Sequence, residues 1–397
     1  MIERPVYLDF LKRHTNTDVI KILTGVRRSG KSTIFALYQD YLIANGVKEE
    51  NIITINFEDL AYFEYRHFLK LNEYIEKLLV NDQMYYIFFD EIQHVEQFEL
   101  VVNSLRLKKN VDLYLTGSNA YYLSSDLATN ITGRYVEKEV LPISFLEYDT
   151  YSKKNKDMYA LFDDYFYTAF PMPLLDNNIE NKKDFLVNNF NTIVLKDVLP
   201  RVGAQEVDDI ERIARVMFSS IGSIVSINKI SNTLQSLGKK QSHASVEKIV
   251  NGLLDGFLFF EVPRYNIKGR ELLKRTAKYY CVDLGLRRVI LPDAREDYGN
   301  LLENIVYLEL RRRYDKVYVG AFGEYEVDFV AIKDNLVEYF QVSLSLNDEA
   351  VFQREIRSLR MIKDNYKKTI LSMDHHQSVE DGIYLKNIIK WLNGSAE

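Results

Sequence analysis

The chain has 397 residues, of which 47% are hydrophobic and 27% charged, a composition ordinary for soluble globular protein and long enough for two or three domains. Its single cysteine excludes a disulfide framework and any multi-cysteine metal site, and neither a leader-like apolar segment nor a run of about 18 apolar residues occurs, so a cytoplasmic protein with no membrane span is expected. The net charge of −6 argues against wholesale coating of nucleic acid, yet Ser226 to Arg295 holds 13 Lys/Arg against 6 Asp/Glu, which leaves one basic module inside an acidic chain.

The first informative element is "VIKIL" followed by "TGVRRSGKSTIFALYQDYLIANG", a strand, a loop and an amphipathic helix ending at Gly46. The loop Gly25-Val26-Arg27-Arg28-Ser29-Gly30-Lys31-Ser32 satisfies G-x-x-x-x-G-K-[ST]. Glycines let backbone N–H groups converge on phosphate oxygens, Lys31 reaches the terminal phosphates, and the Ser32 hydroxyl can ligate Mg2+. "MYYIFFDEIQ" then supplies a buried strand with Asp90-Glu91 at its carboxyl end, where ligands of open α/β sheets bind. Asp90 is expected to hold Mg2+, directly or through water, and Glu91 to orient and deprotonate the attacking water; the alternative is a pair of acids capping the next helix. A third strand, "VDLYLTGSN", ends in Ser118-Asn119, which either reach the γ-phosphate or attacking water or form a plain strand-end turn. Arg134, after Gly133, is either an arginine finger on a neighbouring subunit's nucleotide, which implies an oligomer, or a solvated surface residue.

"GVRRSGKST", "FFDEIQ", "LTGSN", "TGRYVEKEVLPISFLEY" and the later "EVDFV" together resemble the prokaryotic AAA-type ATPases that carry a C-terminal restriction-endonuclease-like domain. The resemblance implies ATP and Mg2+ binding by Gly25 to Thr33 and Asp90, with Glu91 as catalytic base and Ser118 or Asn119 as nucleotide sensor. In related ATPases, helices such as those expected over residues 151–225 form a lid or linker beside the nucleotide, and glycines usually precede the proline at position 171. Thr168-Ala169-Phe170 stand there in this chain, so that loop geometry is not carried over. Prolines 171, 173 and 200 are expected to mark helix ends.

Residues 226–295 read as helix, turn, helix and strand pair, a winged-helix pattern. Such a module would set His243, Ser245 and Lys248 near base edges and Lys239, Lys240, Arg264, Lys268, Arg270, Lys274 and Arg275 near phosphates, although winged helices also bind proteins. Residues 296–397 fit a restriction-endonuclease-like core, with Glu303 on a helix and Asp328 on a strand. The next strand has Gln341-Val342-Ser343 where Glu-x-Lys is needed to hold a metal ion and activate water, so the domain is expected to bind without cutting. Glu338 lies on the opposite strand face from Gln341, and His375-His376 read as solvated loop residues.

The expected architecture is α/β: a P-loop AAA-type ATPase core over 1–150, a helical lid or linker over 151–225, a winged-helix module over 226–295 and a nuclease-like α/β domain over 296–397. The expected function is Mg2+-dependent ATP binding and hydrolysis coupled to DNA or to a protein partner. The alternatives are a slow nucleotide-gated switch without a significant DNA role and an active ATP-dependent nuclease.

Overall fold

The computed structural model describes residues 1–118, 133–152, 157–203, 207–236, 242–292, 297–375 and 377–395. Contacts divide them into two compact units, one formed by Met1–Pro142 with Asp255–Phe257 and the other by Ile143–Leu254 with Leu258–Glu397.

The first unit contains α1 (Pro5–Arg13), β1 (Ile20–Thr24), α2 (Lys31–Ala44), β2 (Ile52–Asn56), α3 (Phe68–Leu78), β3 (Tyr85–Asp90), α4 (Phe98–Arg106), β4 (Val111–Gly117) and β5 (Tyr135–Glu139). Its five strands are parallel, in the order β2-β3-β4-β1-β5. The period-two alternation of strand side chains assigns them to two cores. Ile20, Ile22, Ile87, Phe89, Leu113 and Leu115 pack with Leu71 and Ile75 of α3 and with Val101 and Leu105 of α4. Leu23, Tyr86, Phe88 and Tyr114 pack with Phe10 of α1 and with Ile34, Phe35 and Tyr38 of α2. Covered on both faces, β3 is buried along all six residues, which is why it reads as one apolar run. At the N-terminal edge of the sheet, the Lys21 ammonium and Asp112 carboxylate form a buried ion pair. Asp112 also accepts from the Asn16 backbone N–H at 2.9 Å and from the Tyr114 hydroxyl at 2.7 Å.

The second unit opens with α5 (Phe145–Tyr151), entered through a capping box in which Ser144 and Glu147 satisfy each other's backbone N–H groups. Then come α6 (Met158–Tyr167), α7 (Pro171–Leu175), α8 (Ile179–Ile193), α9 (Val207–Ser219), β6 (Ile224–Val225), α10 (Ile227–Ser236) and α11 (His243–Asp255). Pro171 occupies the first turn of α7, where a missing N–H costs nothing. Pro200 does not end its helix, contrary to expectation. The chain widens into a π-helical turn over Val194–Val198 and continues through Leu199–Val202, which relieves the clash of the proline ring with the preceding turn.

Beyond α11 lie β7 (Phe259–Asn266), β8 (Glu271–Cys281), α12 (Leu284–Ile290), α13 (Tyr298–Arg313), β9 (Lys316–Phe322), β10 (Tyr325–Lys333), β11 (Leu336–Val342), α14 (Glu349–Met361), β12 (Lys367–Ser372), β13 (Ser378–Glu380), β14 (Ile383–Asn387) and α15 (Ile388–Leu392). One mixed sheet of nine strands runs β13-β14-β12-β11-β10-β9-β7-β8-β6. It takes strands from both sides of residue 295: β7 pairs parallel with β9, Arg264 facing Val319, so the β7–β8 hairpin has no bare outer edge there. Asp283 caps α12 through the N–H groups of Gly285 and Leu286 and also accepts from Thr168 Oγ1 and Ala169 N, tying the segment before Pro171 to the sheet. Burial pushes the Asp283 carboxyl up to about 6 despite these donors.

The fold class is thus the expected α/β one, a five-stranded parallel sheet flanked by helices and followed by a separate mixed sheet. Among the described residues, no helix is long and apolar enough to cross a membrane.

Candidate functional site

The loop between β1 and α2 is shaped by residues with positive φ, namely Gly25 at 133°, Arg28 at 64° and Gly30 at 100°. Gly25 is needed for space as well as conformation, since a Cβ there would stand 2.3 Å from the carbonyl oxygen of Val140. Ser29 N donates to Val26 O at 3.3 Å, which closes the loop above the first turn of α2. Val26, Arg27 and Ser29 are buried in that loop, and Arg27 is paired with Glu58 at 2.8 Å. Thr33 is exposed in the first turn of α2.

Strand order brings the partners of this loop to it, because β4 lies between β1 and β3 and all three strands end on the same edge. Ser32 Oγ donates to Asp90 Oδ2 at 2.6 Å. The other oxygen of Asp90 accepts from Thr116 Oγ1 on β4, and Thr116 Oγ1 accepts in turn from Glu91 N at 2.9 Å. Lys31 Nζ donates to Gly25 O at 2.9 Å and Val26 O at 3.1 Å and lies 3.8 Å from Glu91 Oε1. Glu91 itself takes the left-handed conformation at φ 55°, a sparsely populated region that projects its side chain off the strand end toward Lys31.

The two carboxyls are tuned apart. Burial raises Asp90 above the usual carboxylate range, against the hydroxyl donors Ser32 and Thr116. Burial also pushes Glu91 upward, but Lys31, Arg27 and the Gln93 amide outweigh it and hold the group below its ordinary value. One hard oxygen pair (Ser32 and Asp90), one ionised carboxylate and one ammonium therefore meet at the start of a helix. This donor set fits Mg2+ held between a hydroxyl and a carboxylate beside a polyphosphate. Ser118 is buried at the end of β4 within reach of this group, its Oγ accepting from Gln93 at 3.2 Å. Asn119 lies outside the described residues. Arg134 is exposed and precedes β5, whose Tyr135 faces Ile20 at the opposite edge of the sheet from the loop, so it does not join the site of its own chain.

In the second unit, Glu303, Asp328 and Gln341 come together on α13, β10 and β11, lining a cavity of about 410 Å3. Lys278 of β8, which sequence reasoning overlooked, reaches into this group. Its Nζ lies 2.8 Å from Glu303 Oε1, 2.9 Å from Glu326 Oε1 and 3.6 Å from Asp328 Oδ1. A lysine within the apolar run "AKYYCV" was the available signal, since strand alternation sets it on the same face as Tyr280, whose hydroxyl also donates to Glu303. Gln341 bridges the Asp328 backbone N–H and the carboxylate of Glu355 on α14, the latter at 2.8 Å. Burial, and then the neighbouring Glu303, raise the Asp328 carboxyl well above its usual range. Ser343 turns away to the carbonyl of Ser345 at 3.1 Å.

Among the expected nucleic-acid contacts, His243, Ser245 and Lys248 are exposed on α11, whose Val246, Ile249 and Leu253 are buried. Arg264 is half-buried in β7. Lys239 and Lys240, the side chains of Lys274 and Arg275, and His376 lie outside the described residues; the His375 ring bonds the Tyr159 hydroxyl at 2.7 Å.

Residues 17–149 match the family model of an AAA domain, and residues 159–297 match a model described only as a domain of unknown function. An uncharacterized protein of Haemophilus influenzae is 36% identical over 400 residues, covering 99% of this chain and 98% of its own. An uncharacterized protein of Methanocaldococcus jannaschii is 29% identical over 361 residues, covering 87% of this chain and 79% of its own. Among solved structures, a Walker-type ATPase of Pyrococcus abyssi superposes with a TM-score of 0.50 at 14% identity, over 73% of this chain and 96% of that one, a likeness of fold.

Proposed function

The chain belongs to one family with the uncharacterized Haemophilus influenzae protein, and from its AAA-type ATPase domain we propose that it is a Mg2+-dependent ATPase whose nucleotide state governs binding by its C-terminal half. The observation that carries this reading is the meeting of Lys31, Ser32, Asp90 and Glu91 at one sheet edge. Lys31 exchanges the carbonyls of Gly25 and Val26 for the terminal phosphates of ATP, whose charge an ammonium offsets better than two amide dipoles. Ser32 and Asp90 would hold Mg2+, which would supply charge neutralisation at the phosphates. Glu91, which Lys31 and Arg27 hold below its ordinary pKa before ATP binds, takes the proton of the attacking water. Lys31→Ala removes a charge-assisted hydrogen bond of about 1.5–3 kcal/mol, so affinity for a fluorescent ATP analogue is expected to fall by roughly 10- to 100-fold. Equal affinity in both proteins would contradict the reading.

For the C-terminal half, the proposed division is a helical lid or linker over 151–225, a winged-helix module over 226–295 and a nuclease-like domain over 296–397 that binds without cutting. The basic charge of the second segment and the exposed polar face of α11 favour DNA over a purely structural role. Binding to duplex DNA is expected to weaken linearly with log salt, by a slope of about 0.9 per phosphate neutralised. Charge reversal at Lys239 and Lys240 should flatten that slope by about two; a slope indifferent to both charges would argue for a protein partner instead. The absence of cutting is supported by Gln341, a neutral amide bonded to Glu355 where a charged metal ligand is needed, and by Ser343, which turns away to the carbonyl of Ser345.

A further inference from the structure

Gln93 lies in the short 3-10 turn Ile92–His94 that follows Glu91, and its side chain doubles back on that acid. Its Nε2 donates both to Glu91 Oε2, at 2.5 Å, and to Ser118 Oγ, at 3.2 Å. The amide orientation follows from charge, since the reverse placement would set a carbonyl oxygen against the carboxylate. Its Oε1 is buried and has no hydrogen-bond partner among the described residues. A side chain that served only to tie the turn together would gain nothing from a buried acceptor left unpaired.

The oxygens of Glu91 thus have different holders, Oε1 facing Lys31 Nζ at 3.8 Å and Oε2 held by Gln93, with the Ser118 hydroxyl a further donor to the carboxylate. If Lys31 moves to the phosphates, its hold on Oε1 is released. The Gln93 contact does not involve any phosphate-binding group and persists. We infer that Gln93 is a positioning residue, which orients the Glu91 carboxylate toward the attacking water and links it to Ser118 at the end of β4. This inference rests on the ATPase reading, in which Glu91 is the base.

The test uses the full chain with Mg2+ and ATP. Gln93→Leu keeps similar bulk and removes the donor; kcat is expected to fall about tenfold or more, while KM for ATP changes less than about twofold. In a Glu91→Gln background, the same replacement should lower single-turnover rates no further, because nothing is left to orient. A fall in kcat together with lost ATP affinity, or equal effects in both backgrounds, would overturn the inference by making Gln93 a prop for the loop. An unchanged kcat would overturn it as well. Should the wild-type chain turn over no ATP, the ATPase reading fails, and a thermal-unfolding cycle of Gln93→Leu with Glu91→Ala then decides the contact: coupled losses uphold a held carboxylate and additive losses overturn it.

Discussion

Glu91→Gln is expected to retain ATP binding while abolishing turnover. The replacement preserves the size of the side chain and its ability to accept from the Gln93 amide, and it leaves Lys31, Ser32 and Asp90 untouched. What it removes is the ionised carboxylate that Lys31 and Arg27 keep below its ordinary pKa. A positioned general base contributes roughly 10²- to 10⁴-fold, and kcat should fall by about that factor. Removing a negative charge beside the incoming γ-phosphate also favours binding, so affinity should be unchanged or tighter. Steady-state turnover read beside equilibrium binding checks both halves, and near-normal hydrolysis in the variant would refute the role of Glu91.

Lys278→Met is expected to destabilise the second unit severely. Lys278 and its partner Glu303 are both buried, and Asp328 stands beside them. Burial disfavours the Lys278 ammonium, but Asp328, Glu303 and Glu326 more than compensate and raise its pKa, so it is charged throughout the neutral range. Deleting one member of a buried ion pair typically costs about 3–5 kcal/mol, because the remaining charge loses its counter-ion. The cost should shrink as pH falls. Without Lys278, the folded-state pKa values of Glu303 and Asp328 rise further above their unfolded values, so the variant gains stability relative to wild type as acid protonates them. Chemical denaturation at pH 8 and pH 5.5 measures both effects. A variant as stable as wild type at pH 8 would mean that Lys278 is not the counter-ion of this cluster.

The meeting of the candidate site residues was largely legible in the sequence because their placement is local. Gly25 to Ser32 lie within one loop, Asp90 and Glu91 end one apolar strand, and the edge on which they meet follows from parallel strands. Gln93 was passed over although it lies two residues beyond Glu91, because a glutamine in a turn has no signature of its own until its amide is seen to bridge two strand ends. Lys278 was missed for a different reason. Its partners stand 25 and more residues later, and only the pairing of β7 with β9 joins β8 to the sheet that carries β10. Sequence periodicity could identify β7 and β8 as a hairpin, but not the strand that would cover its outer edge. Pro200 shows the limit of a local rule, since packing held the helix together through a π-helical turn where propensity alone would stop it.

The central claim is that one sheet edge of this chain binds and hydrolyses Mg2+-ATP, and steady-state phosphate release by the full chain tests it most directly. The account predicts Mg2+-dependent turnover by the wild-type protein that is lost in both Lys31→Ala and Glu91→Gln. Bound ATP that stays intact in the wild type, or equal turnover in all three proteins, would contradict it.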